Sequence, residues 1–77
     1  MKVGVGTIIK FQERYSHNIY LATITVDVPI SSMSLYHYYA KTTENDTFGL
    51  AGHEILTYYD TTLNLEDFIE TYPEKII

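Results

Sequence analysis

The chain has 77 residues, no Cys, and a net charge of −5 from five basic and ten acidic side chains. Its length allows one domain, residues 1–77, and the absence of Cys excludes disulfides and thiolate metal sites. Five cations against ten carboxylates argue against direct nucleic-acid binding, because phosphate recognition needs Lys and Arg.

A chain this short buries only about 60–65% of the surface its unfolded form exposes, and oligomerisation is one way to compensate. Leu, Ile, Val and Phe make up 22 of the 77 residues, above the roughly 20% level below which chains stay disordered. A folded domain is therefore expected. No apolar run approaches the ~18–20 residues that span a bilayer. The first ten residues contain no sustained apolar block, so they read as mature protein rather than a signal peptide. With no Cys, these features lead to the expectation of a cytoplasmic protein and no membrane partner.

Val3, Val5, Thr7, Ile9 and Phe11 fall on alternate positions, which is strand periodicity. Gly4 and Gly6 would then occupy the opposite face. Ser16-His17-Asn18 is a turn signal. After it, Tyr20, Ala22, Ile24, Val26 and Val28 alternate with Thr23, Thr25 and Asp27, the strongest strand pattern in the chain. The short connection predicts an antiparallel hairpin. Pro29 ends the second strand, since it has no N–H for the ladder.

Residues 31–43 carry two readings. Ser31 or Ser32 can cap a helix through Met33, Tyr36, His37 and Ala40. The favoured reading is a strand, because three Tyr in four positions followed by Thr42-Thr43 suit a sheet better. Glu44-Asn45-Asp46 is a turn. Phe48 to Tyr59 reads as extended chain with a bulge at Gly52 and a core at His53–Tyr59. The last element is a helix: Leu65, Phe68, Ile69 and Tyr72 form one apolar stripe. Asn64 is its N-cap, Glu66 and Asp67 sit in its first turn, and Pro73 stops it. The tail ends on Ile76-Ile77, which must pack back on the sheet or meet another chain.

The predicted fold is α+β, a mostly antiparallel sheet of three or four strands with the C-terminal helix packed on one face. The alternative order is ββαβα.

No catalytic motif is present. A zinc-protease pattern starting at His53-Glu54 needs a second His at position 57, which is Thr. Gly4-Val5-Gly6 lacks the third Gly and the following helix of a dinucleotide fingerprint. His17, His37 and His53 lie one per segment without ligand spacing. Neither cofactor nor metal is expected.

Charge is unevenly distributed. Residues 42–77 hold Glu44, Asp46, Glu54, Asp60, Glu66, Asp67, Glu70 and Glu74 against Lys75 alone, a balance of −7. Residues 1–41 hold Lys2, Lys10, Arg14 and Lys41 against Glu13 and Asp27, a balance of +2. Such a field favours a basic partner. There are eight Tyr, a residue that supplies contact area and a polar handle at interfaces. In the pairs Tyr38-Tyr39 and Tyr58-Tyr59, strand geometry sends neighbours to opposite faces. Tyr39 and Tyr59 are the first candidates for the outward members.

The expected function is a non-enzymatic protein-binding module that uses Tyr39, Tyr59, Glu44, Asp46, Glu54, Asp60, Glu66, Asp67 and Glu70 to dock on a larger protein with a basic surface. A nucleic-acid-binding site is the natural target, because its groove is positively charged. In size and charge the chain resembles the small acidic proteins of phages and mobile elements, including anti-CRISPR and anti-restriction inhibitors. That resemblance implies an inhibitor that competes with phosphate. The alternatives are a homo-oligomeric accessory subunit and a small enzyme or ligand binder that uses the histidines.

Overall fold

The alternation at the start of the chain becomes a strand only at Ile8. The computed structural model describes residues 3–28 and 36–75. Within them β1 is Ile8–Gln12, β2 Ile19–Asp27, β3 Tyr38–Lys41, β4 Thr47–Leu50 and β5 Ile55–Tyr59. A 3-10 turn spans Gly52–Glu54, helix α1 spans Leu65–Thr71, and a second 3-10 turn spans Pro73–Lys75. The five strands form one antiparallel sheet in the order β4-β3-β2-β1-β5. The α+β expectation is met, with five strands rather than three or four.

Residues 4–7 are a tight turn, not strand. The Thr7 N–H donates to the Gly4 carbonyl at 3.0 Å, and Gly6 has φ 94°. That conformation strains any residue with a Cβ. Gly6, expected on the opposite face of a strand, is what allows this reversal.

The hairpin of β1 and β2 has the expected antiparallel pairing, with Ile9 opposite Ala22 and Phe11 opposite Tyr20. Its turn passes through His17 at φ 61°. Register slips between Ile24 and Val26, so the regular alternation predicted for this strand breaks and Val26 is exposed. Residues 38–41 are strand, as favoured, and they contradict a helix running through Ala40. The proposed helix start at Ser31, Ser32 and Met33 lies outside the described residues, as do Pro29 and the Ile76-Ile77 tail.

The stretch read as one extended segment from Phe48 to Tyr59 is two strands separated by the Gly52–Glu54 turn. The expected bulge at Gly52 is this turn, and His53 lies in it rather than in a strand core. A bulge does occur in β5, where pairing with β1 shifts between Lys10 and Phe11. The extra residue between the paired Ile55 and Thr57 is Leu56.

The link has an architectural consequence. β4 and β5 are opposite edges of the sheet, yet only residues 51–54 join them. Edges of a flat five-stranded sheet stand about 19 Å apart, at ~4.8 Å per spacing. A link of this length with a 3-10 turn at ~2.0 Å rise per residue reaches roughly 13 Å. The sheet must therefore curl. Leu50 and Ile55, which flank the link, join Ile9, Phe11, Ala22, Ile24 and Ala40 in one buried cluster on the concave face. Phe11, Tyr20 and Phe48 add a three-ring contact with centroids 5.3–5.7 Å apart. Burying each large apolar side chain contributes about 1.5–3 kcal/mol.

The other face is covered by α1. Leu65 and Phe68 pack on Ile8 and Leu21, flanked by Tyr59 and Ile69. Asn64 caps the helix as expected, its Oδ1 accepting the Asp67 N–H at 2.8 Å. The helix ends at Tyr72, before Pro73.

Candidate functional site

The end of β5 places aromatic rings and a carboxylate side by side. Antiparallel pairing sets Tyr59 opposite Ile8 and Tyr58 opposite Ile9. Tyr59 therefore lies on the face that α1 covers, with its ring 4.8 Å from that of Phe68. Phe68 in turn lies 5.2 Å from Tyr72. Tyr58 is 42% exposed. Asp60 follows as the strand ends and is exposed.

The Gly4–Thr7 turn stands on the other side of β5's end. It is fastened by the Gly4 N–H donating to Thr7 Oγ1 at 3.1 Å and by the Gly6 N–H donating to the Ile24 carbonyl at 2.8 Å. Its tip presents Val5, 68% exposed.

Two hollows meet at Tyr58, Tyr59, Asp60 and Thr61. One, of about 430 Å³, is closed by the Val5–Thr7 turn. The other, of about 290 Å³, is closed by Phe68 and Tyr72. No hydrogen bond or ion pair engages the Asp60 carboxylate among the described residues. Ring faces and an unengaged carboxylate at one place can hold a cation, since aromatic quadrupoles and anions both attract it.

A second concavity runs between α1 and the β3–β4 turn, across β2. Glu44 and Asp46 line it with Ile19, Leu21 and Ile69. Glu66 lines its continuation with Thr23, Thr25 and Lys41. Asp67 and Glu70 are exposed on α1 and line neither part.

Glu54 departs from the expectation of a docking carboxylate. It is only 8% exposed. Its Oε2 accepts from Arg14 Nε at 3.1 Å and its Oε1 from the Ala51 N–H at 2.9 Å. Arg14 Nη2 also donates to Oε1, closing a two-point ion pair. Burial alone would push this carboxyl up. The Ala51 N–H and the Arg14 guanidinium outweigh it and hold the carboxyl below its ordinary value. Glu54 thus holds the fold together and presents no charge to a partner.

The two tyrosine candidates also separate. Tyr39 is half-buried with its ring 5.9 Å from that of Tyr36. Tyr59 is half-buried beneath α1, and the outward member of its pair is Tyr58. Tyr58, Tyr72 and Val5, none of them among the sequence candidates, are exposed here. The adjacent apolar pairs Ile8-Ile9 and Leu21-Ala22 carry the missing signal: both faces of the sheet are covered, so the second Tyr of each pair need not point to solvent.

His17 and His53 line one cleft with Arg14 and Glu54. No group of three His, Asp or Glu among the described residues is placed to hold a metal ion. No hydrogen bond joins a histidine side chain to a hydroxyl or carboxylate among them. No helix among them is long and apolar enough to cross a membrane.

Comparison of the chain with known protein families, characterised proteins and solved structures gives no match.

Proposed function

We propose that this protein is a non-enzymatic binding module that docks on a basic, nucleic-acid-binding site of a larger protein and competes there with phosphate. One observation carries the reading. Among the described residues the only ion pair is Arg14–Glu54. It leaves Glu44, Asp46, Asp60, Glu66, Asp67 and Glu70 exposed and unpaired. Carboxylates left in this state have no partner among the described residues and steer encounter with a positive surface. The aromatic hollows beside Asp60 add buried contact area, which charge alone does not supply.

The test is capture from the source cell on immobilised wild-type protein and on a Glu66→Lys/Glu70→Lys variant, with elution by duplex DNA. The reading expects a nucleic-acid-binding protein that DNA or raised salt releases and that the variant retains poorly. Equal retention on both surfaces, with no release by DNA, would contradict it.

A further inference from the structure

The protein itself shows how it holds an arginine. The Arg14 guanidinium lies 4.9 Å from the centroid of the Tyr36 ring while its N–H groups grip the Glu54 carboxylate. Ring face and carboxylate act together on one planar cation. A planar guanidinium suits this pairing better than a lysine ammonium, because it can stack and fork at the same time.

The end of β5 brings the same two kinds of group, tyrosine rings and a carboxylate, to one place. Tyr58 and Tyr59 supply rings and Asp60 the carboxylate, with hollows on either side. No Lys or Arg lines either hollow among the described residues, and the Asp60 carboxylate has no partner among them. Of the cations whose side chains are described, Lys10 lies within β1, Arg14 on Glu54, and Lys41 in the concavity that Glu66 also lines.

We infer that the Tyr58–Thr61 cleft is an arginine-binding site, which seats a guanidinium from a partner protein against a Tyr ring and in the Asp60 carboxylate. This inference rests on the docking function proposed above and deepens it: exposed carboxylates of α1 and the β3–β4 turn steer a basic surface in, and this cleft takes one arginine from it as an anchor. The sites are built differently for those tasks. Asp67 and Glu70 line neither part of the second concavity, whereas Asp60, exposed like them, lines hollows shared with Val5, Tyr58, Phe68 and Tyr72. A ring beside a carboxylate favours the planar, weakly hydrated guanidinium over an ammonium.

The test uses the full chain labelled with 15N and, as probes, capped arginine, capped lysine and capped citrulline, the neutral isostere of arginine. A single residue should bind in the millimolar range. Capped arginine should shift the amides of Tyr58–Thr61 and Val5–Thr7 at saturable concentration. Lysine should bind several-fold more weakly, and citrulline should cause no saturable shift. Asp60→Asn and Tyr58→Ala should each weaken the arginine response about tenfold while the rest of the spectrum stays in place. Both side chains are exposed, so these variants leave the core intact. Absence of a saturable shift, equal response to lysine, or shifts spread over Glu44, Glu66 and Glu70 would overturn the inference.

The docking function fails separately. Capture of a DNA-releasable partner by Asp60→Asn as well as by wild type would leave docking standing and remove the cleft from it. A saturable arginine response in a protein that captures no DNA-releasable partner would keep the site and remove the docking function.

Discussion

Arg14 and Glu54, forty residues apart in sequence, form the ion pair that ties the tip of the first hairpin to the turn joining the sheet's two edges. Arg14 also reaches the Gly49 carbonyl at 3.5 Å and covers the Tyr36 ring. One side chain thus touches the end of β4, the link to β5 and the segment entering β3.

Glu54→Gln should lower the melting temperature at pH 7, because it removes the charge that Arg14 faces. The pH dependence has a definite sign. Glu54's folded pKa is depressed, so its contribution is present above the unfolded value of about 4.3 and is lost as pH falls through the folded value. The gap between wild type and Glu54→Gln should hold from pH 7 to about 5 and narrow as pH falls below the unfolded value of about 4.3. Glu13 is depressed as well, chiefly by the Ser16 N–H, with the Tyr15 N–H adding to it. It titrates in both proteins and drops out of the difference. Thermal melts across this range check the assignment; equal melting at pH 7 would contradict it.

Gly49→Ala should destabilise the β4 edge. A Cβ at this position would lie 2.8 Å from two ring atoms of Tyr36, and the ring cannot move without disturbing Arg14 and Tyr39. A cost of about 1–3 kcal/mol is expected, as for other overpacking changes. Double substitution with Tyr36→Ala should recover part of it by removing the clash. Chemical denaturation of the three variants measures the coupling.

Phe68→Ala should cost ~3–5 kcal/mol. Its ring is buried between Ile8, Leu21 and Leu65 and contacts both Tyr59 and Tyr72. In a domain of this size such a loss approaches the whole stability, so the variant should be largely unfolded at 37 °C by circular dichroism. An unchanged melt would mean that α1 does not cover this face.

The helix was fully legible in the sequence, because Asn64, Leu65, Phe68 and Pro73 carry local signals whose physics is complete within one element. The first hairpin was legible in pairing and partly in faces. What escaped was set by distant contacts. Gly6 looked like a strand position because nothing local says that its N–H is taken by the Ile24 carbonyl. Gly52-His53-Glu54 looked extended because the Glu54 carboxylate that caps the turn at the Ala51 N–H is itself held in place by the distant Arg14. The same blindness misjudged two candidate side chains. Glu54 counted as one surface charge among eight, although Arg14 had withdrawn it. Tyr59 reads as outward because the face beneath α1 becomes visible only once Ile8 and Leu21 are seen to need a cover. The charge asymmetry needed no fold to be read, since it is a property of composition along the chain.

The docking account is tested most directly by association kinetics on the captured partner, comparing wild type with Glu66→Lys/Glu70→Lys from low to high salt. The account predicts that the variant associates about tenfold more slowly at low ionic strength, that its dissociation rate is little changed, and that the difference fades as salt screens exposed charges. Equal association rates at low salt would contradict it, and would leave those carboxylates as surface charge that keeps a small protein soluble.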